Sequence, residues 1–178
     1  MREQLIKALK DYPREEMPAL PGRTNKIRCG VLIPVTLSGD PTIYVGQRSM
    51  ELSNHPGEIC FPGGRQERGD SSLQATALRE AQEEMDISDV ELIGRLSSFP
   101  LYTSDYRLEP FVGLLKQAPQ LPDGNEIIRI HSMSLTEVLK RPCINCIPWE
   151  NDGGIHLSPV FEVNDRLMFG ATAYVFLE

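Results

Sequence analysis

The chain has 178 residues and a formal net charge of −7, which argues against nucleic acid as its main partner, because binding a phosphate backbone needs a basic surface. Hydrophobic residues make up 40% and charged residues 24%, as in a soluble globular protein. No apolar run reaches the roughly 18 residues of a membrane span, and the N-terminus lacks the apolar core of a secretory signal. We therefore expect a cytoplasmic protein with one domain over residues 26–178, preceded by a helix and linker over residues 1–25.

The first part of the chain predicts one helix followed by a strand pair. Apolar residues at helical spacing predict a helix over residues 1–12, which ends before a proline. Residues 14–25 are proline-containing and read as an irregular linker. Residues 27–35 are apolar and β-branched, and they predict a buried strand that forms a hairpin with residues 42–47.

The rest of the chain predicts further strands and a second helix, besides the central helix considered below. The predicted strands cover residues 59–61, 90–99, 107–115 and 126–131, with a closing hairpin of 159–163 and 167–177 around the turn at 164–165. Pro110 indicates an edge strand or a bulge, because proline cannot donate to a strand ladder. Ser134 caps a predicted short helix over residues 135–141. This order predicts an α/β fold with a mixed sheet and helices on its faces.

The four cysteines give no clear metal or disulfide pattern. Cys143 and Cys146 form a Cys-x-x-Cys pair, whereas Cys29 and Cys60 are isolated. A zinc site would need two more ligands at suitable spacing, and a redox pair would need a strand-to-helix context. We interpret the cysteines as reduced structural thiols, with zinc or redox use of the pair as the alternative.

Residues 61–87 combine a glycine turn with an acidic helix and carry most of the functional information. Their sequence is FPGGRQERGDSSLQATALREAQEEMDI. Proline and two glycines at 62–64 open a tight turn. Ser71 stands three residues before Gln74, which is the spacing of a capping box. A helix is therefore predicted from about residue 72 to about residue 85.

The predicted helix has an apolar sector centred near Leu78 and an acidic side opposite to it. Glu80, Glu83 and Glu84 occupy positions i, i+3 and i+4, so we expect their carboxylates to converge. Clustered hard oxygen ligands suit Mg²⁺ or Mn²⁺, which would also remove the repulsion between the three charges. Arg79 can hold a carboxylate in a fixed fork. The alternative is a solvated acidic face on an ordinary amphipathic helix.

This segment resembles the Nudix box, the loop–helix–loop signature of the Nudix hydrolases. Gly64 matches the first glycine of the box, residues 79–84 match its Arg-Glu-x-x-Glu-Glu core, and Ile87 matches its final apolar position. The resemblance implies an α/β/α sandwich with a mixed sheet.

The sequence departs from the box at two points. The isolated acid of the box is Asp70, and one extra residue separates it from Arg79. Asp86 stands where the box has its second glycine and where the helix should end. Asp can adopt the left-handed conformation that such a position requires, although less easily than glycine.

Residues outside the box resemble the additional signature of the coenzyme A diphosphatases within this superfamily. The similarity covers Arg48-Ser49, Leu52, His55, Gly57, residues 61–64, 103–104, 110–112, 125–126 and 169–173. Two positions depart from that signature. Gly46 replaces a usual Thr, and Ser53 replaces a usually basic residue that would suit the 3′-phosphate of coenzyme A.

The resemblance implies metal-assisted hydrolysis of a diphosphate and assigns roles to particular residues. The expected metal ligands for Mg²⁺ or Mn²⁺ are Glu80, Glu83, Glu84 and the carbonyl of Gly64. The expected substrate-binding residues are Arg48, Ser49, Gly63 and Arg65. Arg79 is expected to orient the carboxylates. Glu80 and Glu126 are both candidates for the general base, and the sequence does not choose between them.

The implied reaction converts coenzyme A or its esters to 4′-phosphopantetheine and adenosine 3′,5′-bisphosphate. One alternative is a Nudix hydrolase of ADP-ribose, NADH or a nucleoside triphosphate. Another is a Nudix-fold binding protein without catalysis, because a fold does not determine function. The expected partners are a small-molecule nucleotide substrate and, as an open alternative, a second copy in a homodimer, with neither nucleic acid nor a membrane.

Overall fold

The computed structural model describes residues 1–120, 124–140, 145–151 and 154–178, apart from the side chains of residues 149 and 151. The helices are α1 (Arg2–Asp11), α2 (Leu73–Met85), α3 (Leu135–Leu139) and α4 (Gly170–Leu177). The strands are β1 (Ile27–Thr36), β2 (Thr42–Arg48), β3 (Ile59–Cys60), β4 (Gly63–Arg65), β5 (Glu91–Arg95), β6 (Phe99–Pro100), β7 (Tyr106–Leu114), β8 (Ile127–Ser134), β9 (Asn145–Asn151), β10 (Gly154–Val163) and β11 (Arg166–Met168). None of the described helices is long and apolar enough to span a membrane.

The main sheet is mixed and is built around β1. Its strand order is β3-β2-β1-β7-β5, and β4, β6 and β8 pair with β1, β7 and β2. The pairing of β1 with β7 is parallel, whereas β2 and β4 pair with β1 in the antiparallel direction. The residues of β1 from Cys29 to Thr36 are buried because helices cover both faces of the sheet.

The two faces of the main sheet carry separate apolar clusters. Leu32 of β1 packs with Ala77, Ala81 and Met85 of α2 on one face. Ile33, its neighbour in the strand, belongs to a cluster with residues of α1, α4 and β10 on the other face. Successive residues of a strand point to opposite faces, so β1 contributes to both clusters. The predicted α/β/α arrangement with a mixed sheet is confirmed.

The last predicted strand is wrong. Residues 170–177 form α4 instead of a strand, although the predicted turn at 164–165 does connect β10 to β11. A short and continuous apolar run has no clear period, and such a run fits a buried helix as well as a strand. Strands β4 and β9 were not predicted, and α3 ends at Leu139. Cys143 and the predicted helix end at residue 141 lie outside the described residues.

Pro110 does not mark an edge strand, because β7 lies inside the sheet between β1 and β5. Its position coincides with a change of partner along β7. Leu108 pairs with β6, and Phe111 pairs with β5, so Pro110 lies where the antiparallel ladder is interrupted. The carbonyl of Pro110 accepts a hydrogen bond from Leu96 N at 3.0 Å. An interior strand therefore tolerates proline where its neighbours leave a gap.

A second sheet, β11-β10-β9, joins the main sheet through a buried histidine. His131 of β8 is 2% exposed. Its Nε2 lies 3.3 Å from Gln47 Oε1 in β2, and its Nδ1 lies 2.7 Å from Asn164 Nδ2 in the β10–β11 turn. Burial lowers the pKa of His131, which favours the neutral ring that both contacts require.

The packing of α2 on β1 depends on Gly30. A Cβ at this residue would lie 2.1 Å from the carbonyl oxygen of Leu73. We expect Gly30→Ala to lower the free energy of unfolding by about 1–3 kcal/mol, as overpacked cores do, when measured by urea denaturation. Gly69→Ala is the control, since nothing lies within 4 Å of a Cβ there. Equal stability of the two variants would contradict this role for Gly30.

Candidate functional site

Helix α2 begins and ends at residues that fix its position beside the glycine turn. Its N-cap is Ser72, whose Oγ accepts a hydrogen bond from Ala75 N at 3.2 Å, so the predicted cap at Ser71 is off by one residue. The helix ends at Met85. Asp86 has a φ of 50° and donates its N–H to the carbonyl of Ala81, which is the left-handed cap expected from the sequence.

The predicted division of α2 into an apolar and an acidic side is wrong for Glu84. This side chain is 7% exposed and lies on the buried face with Ala77 and Ala81. Its Oε2 accepts a hydrogen bond from Gly63 N at 3.0 Å. The local apolar pattern does not reveal this burial, because it depends on a partner in the glycine turn.

Glu80 lies directly against the backbone of Gly64. A Cβ at Gly64 would lie 2.3 Å from Glu80 Oε1, so a larger residue there would require this carboxylate to move. The contact places the carboxylate of Glu80 next to the backbone of Gly64, whose carbonyl is predicted from the sequence as a further metal ligand.

Arg79 connects the acids of the loop and the helix. Its Nε and one terminal nitrogen contact the two carboxylate oxygens of Asp70 at 3.1 and 3.2 Å. It also donates to Glu80 Oε1 at 2.9 Å and to Glu83 Oε2 at 2.8 Å. These contacts have the geometry expected of a residue that orients carboxylates.

Asp70 supports Arg79 in a way that the sequence did not specify. Besides Arg79, its carboxylate accepts hydrogen bonds from Glu67 N at 2.9 Å and Thr76 Oγ1 at 3.0 Å. The hydrogen bonds from Arg79 and Glu67 lower the pKa of Asp70 to about 2. The signal that could have found this role is the isolated acid of the box, despite the extra residue that separates it from Arg79.

The three helix glutamates do not converge as their spacing predicted. Glu83 is largely exposed and is turned towards Arg79, whereas Glu84 is buried against Gly63. Among the residues that the structure describes, no three His, Cys, Asp or Glu side chains stand close enough together to hold a metal ion in this conformation. The assignment of Glu80, Glu83, Glu84 and Gly64 as metal ligands therefore stays a prediction.

Glu126 approaches the site from the segment that precedes β8. Burial, together with the charges of Glu80 and Glu126, raises the pKa of Glu84 to about 8. Burial and the charges of Glu83 and Glu126 likewise raise the pKa of Glu80, against the lowering effect of Arg79. Glu126 is held in place by its backbone, since Ser49 N donates to its carbonyl at 2.7 Å.

Glu80, Glu84 and Glu126 are called the acid group here. Arg48 is a cation near this group, since its charge lowers the pKa of Glu84. Its side chain lies beside Cys60 and Glu84. Its Nε is buried and has no hydrogen-bond partner within the described part of the chain. A buried guanidinium nitrogen without a hydrogen-bond partner is energetically costly.

The other predicted substrate-binding residues make structural contacts. Ser49 is buried, and its Oγ accepts a hydrogen bond from Glu51 N at 3.3 Å. Gly63 donates its N–H to Glu84. The guanidinium of Arg65 lies 5.8 Å from the centre of the Tyr106 ring, and only its carbonyl contacts Arg79. A direct role in binding substrate stays a prediction for all three.

The chemistry of the site fits a divalent cation. The negative charges of Glu80, Glu84 and Glu126 repel one another. This repulsion contributes to the raised pKa values of Glu80 and Glu84. Carboxylate oxygens are the ligands that Mg²⁺ and Mn²⁺ prefer. A cation at these carboxylates would relieve a repulsion that Arg48 and Arg79 offset only in part.

Comparison with known proteins shows that the similarity to Nudix proteins extends over most of the chain. The family model of the NUDIX domain matches residues 26–146. An uncharacterized Nudix hydrolase NudL of Photorhabdus laumondii is 32% identical over 166 residues, covering 90% of this chain and 88% of the relative. NudL of Yersinia pestis is 33% identical over 156 residues, with 85% and 77% covered.

Solved structures support the fold. The NUDIX domain of Shewanella oneidensis NrtR, which was crystallised with ADP ribose, has a TM-score of 0.50 and is 19% identical. The similarity covers 76% of this chain and 86% of that domain. At this identity the comparison concerns the fold alone.

Replacing Asp70 should lower the stability of the folded protein by an amount that depends on pH. The pKa of Asp70 is lowered to about 2, so its ionised form stabilises the folded state above its ordinary pKa of about 3.9. This contribution is lost as the pH falls towards 2. We therefore expect Asp70→Asn to lower the melting temperature at pH 6, with a difference from the wild type that shrinks between about pH 4 and pH 2.

Asp89→Asn is the matched control, because Asp89 is exposed and forms an ion pair with the exposed Lys116. Thermal unfolding followed by circular dichroism at each pH measures both variants. A constant difference for Asp70→Asn across the pH range would contradict the interpretation.

Proposed function

Because the chain belongs to the Nudix hydrolase family, we propose that its substrate is coenzyme A or a coenzyme A ester. The general reaction of this family is hydrolysis of a phosphoanhydride in a nucleoside diphosphate derivative, and the chain is a Nudix hydrolase. The proposed products are 4′-phosphopantetheine and adenosine 3′,5′-bisphosphate. The similarity of Arg48-Ser49, Gly57 and residues 61–64 to the coenzyme A diphosphatases supports this choice of substrate.

The position of Arg48 carries the proposal. The sequence feature that distinguishes coenzyme A diphosphatases lies beside the box, and its Arg48 is close enough to Glu84 for its charge to lower the pKa of that acid. The planar guanidinium of Arg48 can make a two-pronged contact with a phosphate. A diphosphate would be held by the guanidinium of Arg48 on one side and by a metal ion at the helix acids on the other.

The helix acids would hold Mg²⁺ or Mn²⁺ at the diphosphate. Glu80 and Glu84 would contribute ligands, with Glu83 and the Gly64 carbonyl as further candidates. Such a cation neutralises phosphate charge and lowers the pKa of a bound water. The chain's own contribution is to hold the ligands in place. Asp70 fixes Arg79, and Arg79 fixes Glu80.

We assign the general base to Glu126 in preference to Glu80. Glu80 already accepts a hydrogen bond from Arg79 and is expected to hold the metal ion, so its carboxylate is less available to accept a proton from water. Glu126 is exposed at the edge of the site and can reach a water molecule there. A base must lie within hydrogen-bond reach of the proton that it removes, which Glu126 satisfies if the attacking water lies between it and the helix.

The direct test of the substrate is incubation of the protein with coenzyme A and Mg²⁺ or Mn²⁺, with separation of the two products. We expect coenzyme A and its esters to have a higher kcat/KM than ADP-ribose, NADH and nucleoside triphosphates. Arg48→Lys should lower kcat/KM for coenzyme A at least about tenfold, because lysine keeps the charge but loses the planar fork. Arg129→Lys, on the exposed part of β8, should have no effect.

If ADP-ribose or NADH reacted faster than coenzyme A, that nucleotide would be assigned as the substrate instead. Tight binding of nucleotides without any metal-dependent turnover would instead favour a binding protein. Unchanged kinetics of Arg48→Lys would remove the observation on which the substrate assignment depends.

The roles of Glu84 and Glu126 can be separated by their effects on metal binding. Glu84→Gln can keep the hydrogen bond from Gly63 N, so we expect the fold to remain and turnover to fall about 100-fold or more, with weaker Mn²⁺ binding. Glu126→Gln should lower kcat and remove the acidic limb of the pH profile, with Mn²⁺ affinity nearly unchanged.

Titration with Mn²⁺ followed by electron paramagnetic resonance measures the affinity, and Glu137→Gln on the exposed helix α3 is the control. Full metal-dependent activity of Glu84→Gln would refute its role as a ligand. An unchanged pH profile of Glu126→Gln would return the role of base to Glu80.

A further inference from the structure

Strand β8 contains a β-bulge where it passes the end of β2. Gln47 lies opposite Arg129, whereas the next residue of β2 lies opposite Ile127, so Ile128 is an extra residue of β8 at this point. A shift of one residue exchanges the two faces of a strand. Ile127 is accordingly 1% exposed and belongs to the apolar cluster of α2, whereas Ile128 is 37% exposed. The bulge therefore turns Ile127, and not its neighbour, towards the helix.

Gly46 of β2 leaves the space that the side chain of Ile127 fills. A Cβ at Gly46 would lie 2.9 Å from Cδ1, 3.0 Å from Cγ2 and 3.3 Å from Cγ1 of Ile127. These distances are shorter than the roughly 3.5–4.0 Å of ordinary contacts between carbon atoms. A larger residue at position 46 would therefore push Ile127 away. Gly46 is also one of the two positions at which the chain departs from the coenzyme A diphosphatase signature.

Glu126 directly precedes Ile127 and lies at the entry of β8. On one side its carbonyl accepts a hydrogen bond from Ser49 N at 2.7 Å, and on the other side it is bonded to the buried Ile127. The residue itself is exposed. Its charge nevertheless reaches Glu80 and Glu84, whose pKa values it raises. Two anchored neighbours thus hold an exposed carboxylate at the acid group.

We propose that Gly46 and Ile127 are positioning residues that hold Glu126 at the acid group. The contact of Ile127 with Gly46 fixes the entry of β8, and with it the place of the Glu126 carboxylate. This role rests on the proposed function, in which Glu126 is the general base. A base must lie within hydrogen-bond reach of the proton that it removes, so a displaced Glu126 would lose its effect.

Core packing alone would also place Ile127 against Gly46, and a matched glycine separates the two roles. A packing defect lowers stability wherever it lies, whereas a displaced base lowers turnover. Gly94 of β5 is the matched position, since a Cβ there would lie 2.8 Å from Cβ of Leu9. Leu9 belongs to the cluster on the sheet face opposite α2, away from the acid group.

Exchange of volume between the two positions tests the contact. Gly46→Val adds as many carbon atoms as Ile127→Ala removes, so the paired variant conserves the volume of the core. We expect each single variant to lower kcat about tenfold or more, as misplaced catalytic groups do, and the pair to recover most of this loss. Gly94→Val should lower the melting temperature comparably and leave kcat unchanged.

Turnover is measured with whichever of coenzyme A, ADP-ribose, NADH and nucleoside triphosphates the protein hydrolyses fastest. The result then does not depend on coenzyme A being the substrate. Thermal unfolding followed by circular dichroism shows that each variant is folded at the assay temperature.

The dependence on Glu126 is tested by combining variants. Once the base has been removed, its displacement has no further effect. Gly46→Val should therefore lower the kcat of Glu126→Gln by less than about twofold, because the two changes act on one group. If Gly46→Val acts instead through general packing, the two losses multiply.

Amide hydrogen exchange of Ser49 reports the position of Glu126 without any catalysis, because this N–H donates to the Glu126 carbonyl. We expect exchange about tenfold faster or more in Gly46→Val, with protection restored in the paired variant. The amide of Leu32, which donates to the carbonyl of Pro62 at 2.9 Å, is the internal reference for opening of the sheet as a whole.

Equal losses of kcat in Gly46→Val and Gly94→Val would overturn the proposal. So would multiplied losses in the Glu126→Gln background, or a paired variant that recovers nothing. Full activity of Glu126→Gln would instead remove the base from the proposed function. In that case the exchange of Ser49 decides the placement, and an unchanged rate in Gly46→Val would show that Gly46 and Ile127 do not hold Glu126.

Discussion

The close contact of α2 with strands β1 and β4 is the constraint on which the rest of the site depends. Gly30 makes it possible, because a Cβ there would collide with the backbone of the first turn of the helix, and Gly64 leaves room for the carboxylate of Glu80. A helix held further from the sheet would leave Glu84 in solvent and separate it from Gly63. The apolar contacts of Ala77 and Ala81 then fix the helix in a position that polar residues alone would not stabilise.

This packing forces acidic side chains into a partly buried space, and the electrostatic consequences follow directly. Burial favours the uncharged form of Glu84, and the nearby charges of Glu80 and Glu126 add to the effect. Arg79, which Asp70 holds, lowers the pKa of Glu80 and fixes the position of its carboxylate. A site in which carboxylates are held near one another against their repulsion is suited to a divalent cation, and Nudix hydrolases generally use one.

The two faces of the main sheet are independent in their chemistry. The face that packs on α2 carries the acids and Arg48, whereas the other face carries an apolar pocket between α1, α3 and α4. Alternation along β1 separates them, since Leu32 and Ile33 are neighbours in sequence but belong to different clusters.

The sequence by itself determined the central helix, its left-handed end at Asp86, the mixed sheet and the membership of the acids in one motif. These features depend on local spacing and on backbone preferences, which neighbouring residues reveal. It did not reveal that residues 170–177 are helical, because a continuous apolar run fits both kinds of element. Only the tertiary structure decided which acids are buried. Glu84 and Glu83 are adjacent in sequence, yet one lies against Gly63 and the other faces solvent and Arg79, because their environments come from strands distant along the chain.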